Sequence, residues 1–170
     1  MSPADERASR SAHHALATNH YRAGFQCGVN ALDDYVHKQA GQDVKRRVSR
    51  VFVATTLEQP DVITGYYTLS SLSIEFDQLP EKLARRLPRH PLPAALLGRL
   101  GISQDAQGRG IGGLLLADAI KRTLAVSNQI AIYALVVDVS DDDIRGFYEQ
   151  CGLLPLGSDS RRLFLPLQSF

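Results

Sequence analysis

The chain has 170 residues, 44% of them hydrophobic and 22% charged, with a formal charge of +1 from 19 basic and 18 acidic side chains. That length fits one domain, and that composition fits a globular chain with its own core. The near-zero charge excludes a uniformly basic nucleic-acid coat and a polyacidic tail, and Cys27 and Cys151 lack the spacing of a disulfide scaffold or a metal site.

The opening segment to about His20 is polar, without an apolar signal region, and reads as an arm or a weak first strand. Asn30 is placed to cap a helix over about 31–46, in which Leu32, Tyr35, Val36 and Ala40 follow helical spacing. Val51–Thr56 is rich in β-formers, and Val62–Ser73 is a second strand. The short polar connection between them predicts an antiparallel hairpin. Residues 73–93 carry four prolines and a short helix at about 80–87, a connection long enough to suggest a lid or binding loop.

A strand over Leu96–Ser103 is expected next, then Gln107-Gly108-Arg109-Gly110-Ile111-Gly112, then a helix to about Val126. Ile130–Val137 is apolar almost throughout, as in a strand covered on both faces, and is far too short to span a bilayer. A short helix over Asp141–Gln150 stops at Gly152, and Leu153–Leu156 with Arg162–Leu167 closes the chain as a hairpin. The whole predicts a single cytoplasmic α/β (α+β) domain over 1–170, with residues 1–20 as its arm. Its sheet is mixed and largely antiparallel, flanked by helices, with one parallel β-α-β crossover.

The glycine loop carries chemistry. Between a strand and a helix it presents several backbone N–H groups to an anion, helped by about half a positive charge at the helix start. Glycine lets backbone approach the ligand without a Cβ in the way. The spacing lacks the Lys-Ser or Lys-Thr of a P-loop and is out of register with GxGxxG, so the loop alone says only that a phosphate or pyrophosphate is bound. Tyr148, read alone, is a packing residue with a hydrogen bond.

Taken together, these segments resemble the GNAT superfamily of acetyl-CoA-dependent N-acetyltransferases. The family signature Gln/Arg-x-x-Gly-x-Gly/Ala is matched by Gln107, Gly110 and Gly112, and its later Phe-Tyr pair by Phe147-Tyr148 ahead of Gly152. Phe25-x-Cys27-Gly28-Val29-x-x-Leu32-Asp33-x-Tyr35, Gly65–Ser70, Leu97–Ile102 and Arg162–Pro166 resemble the toxin branch of TacT and AtaT type. Asp141 stands where many members have Asn, and Ile144 where they have Ala.

The resemblance implies the GNAT fold and direct acetyl transfer from acetyl-CoA to an amine, without an acyl-enzyme. It implies a cosubstrate site formed by Leu100, Gly101, Ile102, Gln107, Gly108, Arg109, Gly110, Ile111, Gly112, Gly113 and Asp141, with Tyr148 as general acid for the thiolate. A phenol near its usual pKa of about 10 suits that role. A backbone N–H near Leu100–Ile102 would stabilise the oxyanion, a contribution of about 3 kcal/mol. Neither cysteine has an identifiable base nearby, so both read as buried or structural.

For the toxin branch the acceptor is the α-amine of an aminoacyl-tRNA. An α-amine with a pKa near 8 needs no strong base, which agrees with the lack of an obvious one. Two stretches of local charge +3, residues 43–50 and 81–90, place Lys45, Arg46, Arg47 and Arg50, and Lys82, Arg85, Arg86 and Arg89, as candidates for tRNA phosphates, with Arg99 beside them. The same resemblance implies a ribbon-helix-helix antitoxin and is compatible with a homodimer. A transferase for small-molecule or peptide amines is the competing reading, and a CoA-binding module without turnover is a third.

Overall fold

The computed structural model describes residues 11–139, 141–158 and 161–170; the predicted arm therefore lies outside the described residues as far as residue 10. The elements in chain order are β1 (Ser11–Ala15), α1 (Asn30–Asp34), a π-turn (Tyr35–Gln39), α2 (Ala40–Lys45), β2 (Arg50–Thr56), β3 (Gly65–Ile74), α3 (Glu81–Ala84), β4 (Leu92–Ile102), α4 (Ile111–Val126), β5 (Ala134–Asp138), α5 (Asp142–Gln150), β6 (Leu154–Pro155) and β7 (Arg162–Pro166). The strands follow the order β1-β2-β3-β4-β5-β7-β6 in a seven-stranded sheet. As expected, β2–β3 and β6–β7 are antiparallel and β4–β5 is parallel; β5 and β7 also pair antiparallel.

Two compact units share these elements: residues up to Leu69 with Arg99–Ile120, and Ser70–Gly98 with Lys121–Phe170. In the first, β1 pairs with β2, so the weak first strand is a real edge strand. Phe25, Tyr35, Val36, Val51, Val53, Ile63 and Tyr66 form its core. The Tyr66 ring meets Phe25 edge-on at 5.3 Å and stacks on Tyr35 at 6.2 Å, and its hydroxyl donates to Leu32 O at 2.7 Å. Each such side chain contributes roughly 1.5–3 kcal/mol by leaving water.

The helix predicted over 31–46 is broken by the π-turn, where one extra residue is inserted. The bulge starts at Tyr35, whose hydroxyl donates to Asp43 Oδ2 at 2.9 Å, about two turns further on. Asn30 is the first helical residue rather than the cap. Asp33 reaches backwards instead, accepting from Cys27 N at 2.8 Å and fastening the entry loop.

In the second unit, β4 and β5 run parallel over Ala94–Leu97 and Ala134–Val137. Ile74, Leu92, Val136, Leu156 and Phe164 form its core. The predicted strand 130–137 starts later, at Ala134. Helix α4 explains the difference, because its last turn extends to Gln129 and Ile130, whose N–H groups both donate to Val126 O. Ile130 is left 66% exposed. Beyond α5, Gly152 takes φ +94°, the left-handed conformation that a helix stop requires.

Candidate active site

The glycine loop lies in the first unit, between the end of β4 and α4. Gly108 and Gly110 take φ +77° and +79°, which glycine adopts without strain. A Cβ at Gly108, Gly110 or Gly113 would meet nothing within 4 Å, so one side of the loop faces open space. Leu114 N donates to Gly110 O, closing the first turn of α4. No backbone acceptor among the described residues receives the N–H groups of Gly108 to Gly113. That leaves a run of unpaired donors at the positive end of a sixteen-residue helix, with room in front of it. A pyrophosphate fits this cradle.

Gln107 does not face the cradle. Its side-chain amide donates to Cys27 O at 2.8 Å and to Ile102 O at 2.9 Å, binding the loop to the entry segment and to the last residue of β4. Arg109 is half-buried within the loop, and Ile111 is buried under the start of α4.

Leu100, Gly101 and Ile102 end β4 and lie past the last registered β4–β5 pair, Leu97↔Val137. Gly101 is buried, and a Cβ there would sit 3.3 Å from the Tyr66 ring and 3.6 Å from Cys27 Sγ. Across from it, a Cβ at Gly65 would meet Leu115 at 2.9 Å and Ile102 at 3.0 Å. Glycine at both positions lets β3, β4 and α4 approach closely behind the loop. Cys27 is buried there, and burial pushes its thiol up to about 11, so it is no nucleophile at neutral pH. Cys151, expected to be buried or structural, is exposed at the end of α5.

Tyr148 belongs to the second unit. Its ring is 1% exposed and lies 5.3 Å from Phe147. Burial, then Cys151 and Asp138, push its phenol well above the usual tyrosine range. The hydroxyl is therefore a proton donor throughout the neutral range. Asp141 caps α5, with Oδ1 accepting from Ile144 N at 2.8 Å. Together with Asp142 and Asp143 it makes that helix start acidic, a poor place for a phosphate.

The basic candidates divide. Lys45, Arg46, Arg47 and Arg50 are exposed at the end of α2 and the start of β2, Arg47 with φ +60° where the helix ends. Arg50 lies over the Phe52 ring at 5.8 Å. Lys82, Arg85, Arg86 and Arg89 are also exposed, Arg85 in a solvent-facing pair with Glu81 at 3.0 Å. Arg99 differs: its guanidinium stacks 3.8 Å above the Tyr35 ring, which makes it a part of the packing.

Sequence reasoning did not assemble one further feature. In the second unit Gln78, Asp138, Val139, Leu156, Arg161 and Arg162 line a cleft of about 450 Å³. Arg162 Nε donates to Asp138 Oδ1 at 2.9 Å across the β5–β7 register. Asp138 at the carboxyl end of a parallel strand is the signal that points there, since ligands gather at such ends.

The acetyltransferase (GNAT) family pattern matches residues 33–153. A probable toxin TacT of Sinorhizobium fredii is 35% identical over 156 residues, covering 87% of this chain and 86% of that protein. A tRNA-acetylating toxin of Mycobacterium tuberculosis is 36% identical over 124 residues, 73% of this chain and 72% of that one. Among solved structures, a tyrosine-to-phenylalanine variant of KacT superposes with TM-score 0.89 at 26% identity, covering 94% and 96% of the two chains. AtaT complexed with acetyl-methionyl-tRNAfMet superposes with TM-score 0.88 at the same identity and coverage. With the cradle, the strand end behind it and this match over most of its length, the chain belongs to the acetyltransferase (GNAT) family.

Proposed function

We propose that this protein transfers the acetyl group of acetyl-CoA to the α-amine of an aminoacyl-tRNA, as the translation-blocking toxin of a toxin–antitoxin pair. The observation that carries the first half is the row of N–H groups from Gly108 to Gly113 without a backbone acceptor, on a loop with open space beside Gly108, Gly110 and Gly113. The second half rests on similarity to relatives described as tRNA-acetylating.

Acetyl-CoA supplies an activated thioester when bound. The protein's own residues do the rest. Gly108, Arg109, Gly110, Ile111, Gly112 and Gly113 hold the pyrophosphate through main-chain donors, and Gln107 keeps their loop against β4. Backbone at Leu100–Ile102 orients the acyl carbonyl and stabilises its developing charge, which is worth about 3 kcal/mol per well-placed donor. Tyr148 protonates the departing thiolate and regains a proton from the one the attacking amine sheds on forming the amide; burial keeps the resting phenol protonated at physiological pH. An α-amine, with a pKa near 8, enters partly neutral without a dedicated base.

A small DNA-binding antitoxin of the ribbon-helix-helix kind completes the pair. Similarity to AtaT bound to its antitoxin AtaR and to a KacTA–DNA complex supports such a partner. A homodimer is compatible with this reading and is tested by sedimentation of the purified chain. No helix among the described residues is long and apolar enough to cross a membrane.

Induced expression in a bacterial host tests the reading. Growth arrest is expected, relieved by Tyr148→Phe at equal protein level. Harmless expression of the unaltered chain contradicts it.

A further inference from the structure

The cleft in the second unit is placed and furnished for more than packing. Its floor comes from the ends of β5, β6 and β7: Val139 N donates to Arg161 O at 2.9 Å and Leu156 N to Arg162 O at 3.0 Å. Its side comes from the turn after β3, where Gln78 is fixed by two bonds. Gln78 Oε1 accepts from Glu75 N at 3.2 Å, and Gln78 O accepts from Gly157 N at 2.9 Å. The carboxamide oxygen is thus used, and the NH₂ group remains as a held donor.

The polar lining is rich in donors. Arg162 spends its Nε on Asp138, which leaves the two Nη groups of a guanidinium whose plane is set by that bond. Arg161 is a second cation of the lining, and Asp138 its carboxylate among the described residues. Val139 and Leu156 supply apolar surface between these groups. A ligand complementary to this set has many acceptors, at least one donor and a flat apolar face. A nucleotide has all three: phosphate and ribose oxygens, ring nitrogens, a hydroxyl or exocyclic amine, and a base face that packs on guanidinium planes and aliphatic side chains. A volume of about 450 Å³ lies within the range of sites for such molecules.

We propose that this cleft takes the single-stranded 3′-terminal nucleotide of the acceptor RNA, with Arg162 and Gln78 donating to it and Asp138 accepting from it. The inference rests on the reading of the protein as acting on charged tRNA, and it gives that reading a docking point. Asp138, on the cleft wall, is among the groups that act on the Tyr148 phenol, after burial and Cys151. Because every tRNA ends alike, the cleft confers affinity for a free 3′ end and no preference among tRNAs.

The test uses uncharged RNA, so it does not depend on acetyl transfer. Binding of the full-length protein to a labelled single-stranded oligonucleotide ending in CCA is compared with the same oligonucleotide lacking its terminal nucleoside. The wild type is expected to prefer the complete end by about 10-fold, and Arg162→Gln to reduce that preference to less than about 3-fold. Asp138→Asn carries the same expectation and stands in if Arg162→Gln fails to bind acetyl-CoA normally. Equal binding of both oligonucleotides by the wild type, or an undiminished preference in a variant that binds acetyl-CoA normally, overturns the proposal. Acetylation of charged tRNA is read separately. A wild type that acetylates but does not discriminate loses only the cleft, and one that discriminates but acetylates no charged tRNA loses only the reaction.

Discussion

The side-chain amide of Gln107 donates to the carbonyl of Ile102 at 2.9 Å, so the first residue of the glycine loop is bonded to the last residue of the strand before it. With its second bond, to Cys27 O at 2.8 Å, this glutamine holds three segments in one place. Its two bonds position the loop, so in the proposed reading the anion is held by the main chain.

Gln107→Ala removes both bonds at a site partly open to water, a cost of about 0.5–1.5 kcal/mol for each. The expected result is acetyl-CoA affinity lowered by about 10-fold or more, with a lower Tm. Calorimetric titration and thermal melting check it. An unchanged affinity would mean that the loop holds its shape without the tether.

Gly113→Ala separates stability from binding. The position is helical and a Cβ there meets nothing, so the free protein should gain up to about 1 kcal/mol from helix propensity. Gly113 is also one of the residues proposed to hold the pyrophosphate. A Tm unchanged or raised, together with acetyl-CoA affinity lowered at least several-fold, is the predicted pair of results.

Tyr148→Phe should lower kcat by about 100-fold or more while leaving acetyl-CoA affinity within a factor of two. The phenol also predicts a pH effect. Its folded pKa is raised above the unfolded value of about 10, so the stability it contributes is complete below pH 10 and is lost as pH rises above that. Activity should show no tyrosine-ionisation limb below pH 10. In a spectrophotometric alkaline titration, the absorbance missing from Tyr148→Phe should be absorbance that appears only above pH 10.

Lys45 and Arg46 are exposed and Arg99 is stacked on Tyr35, so charge removal should act differently at the two kinds of site. Lys45→Gln and Arg46→Gln should each reduce the salt slope of tRNA binding by somewhat less than one unit, with Tm unchanged. Arg99→Ala should lower stability by about 1–2 kcal/mol through the lost cation–π contact. Binding titrations across salt concentration, with melting curves, distinguish the two.

The glycine loop, the hairpin β2–β3, the parallel β4–α4–β5 unit and the stop at Gly152 were readable in the sequence, because each depends on local chemistry. What escaped it depends on partners distant along the chain. The π-turn at Tyr35 accompanies a bond to Asp43, eight residues on, which helical spacing does not encode. Arg99 looked like a free cation until Tyr35 was found beneath it. The cleft at Gln78 joins residues from four separate stretches, so no window of sequence contains it. Tyr148 was singled out by resemblance alone; the structure adds the burial that keeps its proton in place.

The central claim is that this protein acetylates the amine of charged tRNA. Incubation with labelled acetyl-CoA and a panel of aminoacyl-tRNAs tests it most directly. The account predicts label on the α-amine of at least one aminoacyl group, lost with Tyr148→Phe and absent from uncharged tRNA. No label on any member of the panel, while a small-molecule or peptide amine is acetylated readily, would contradict it.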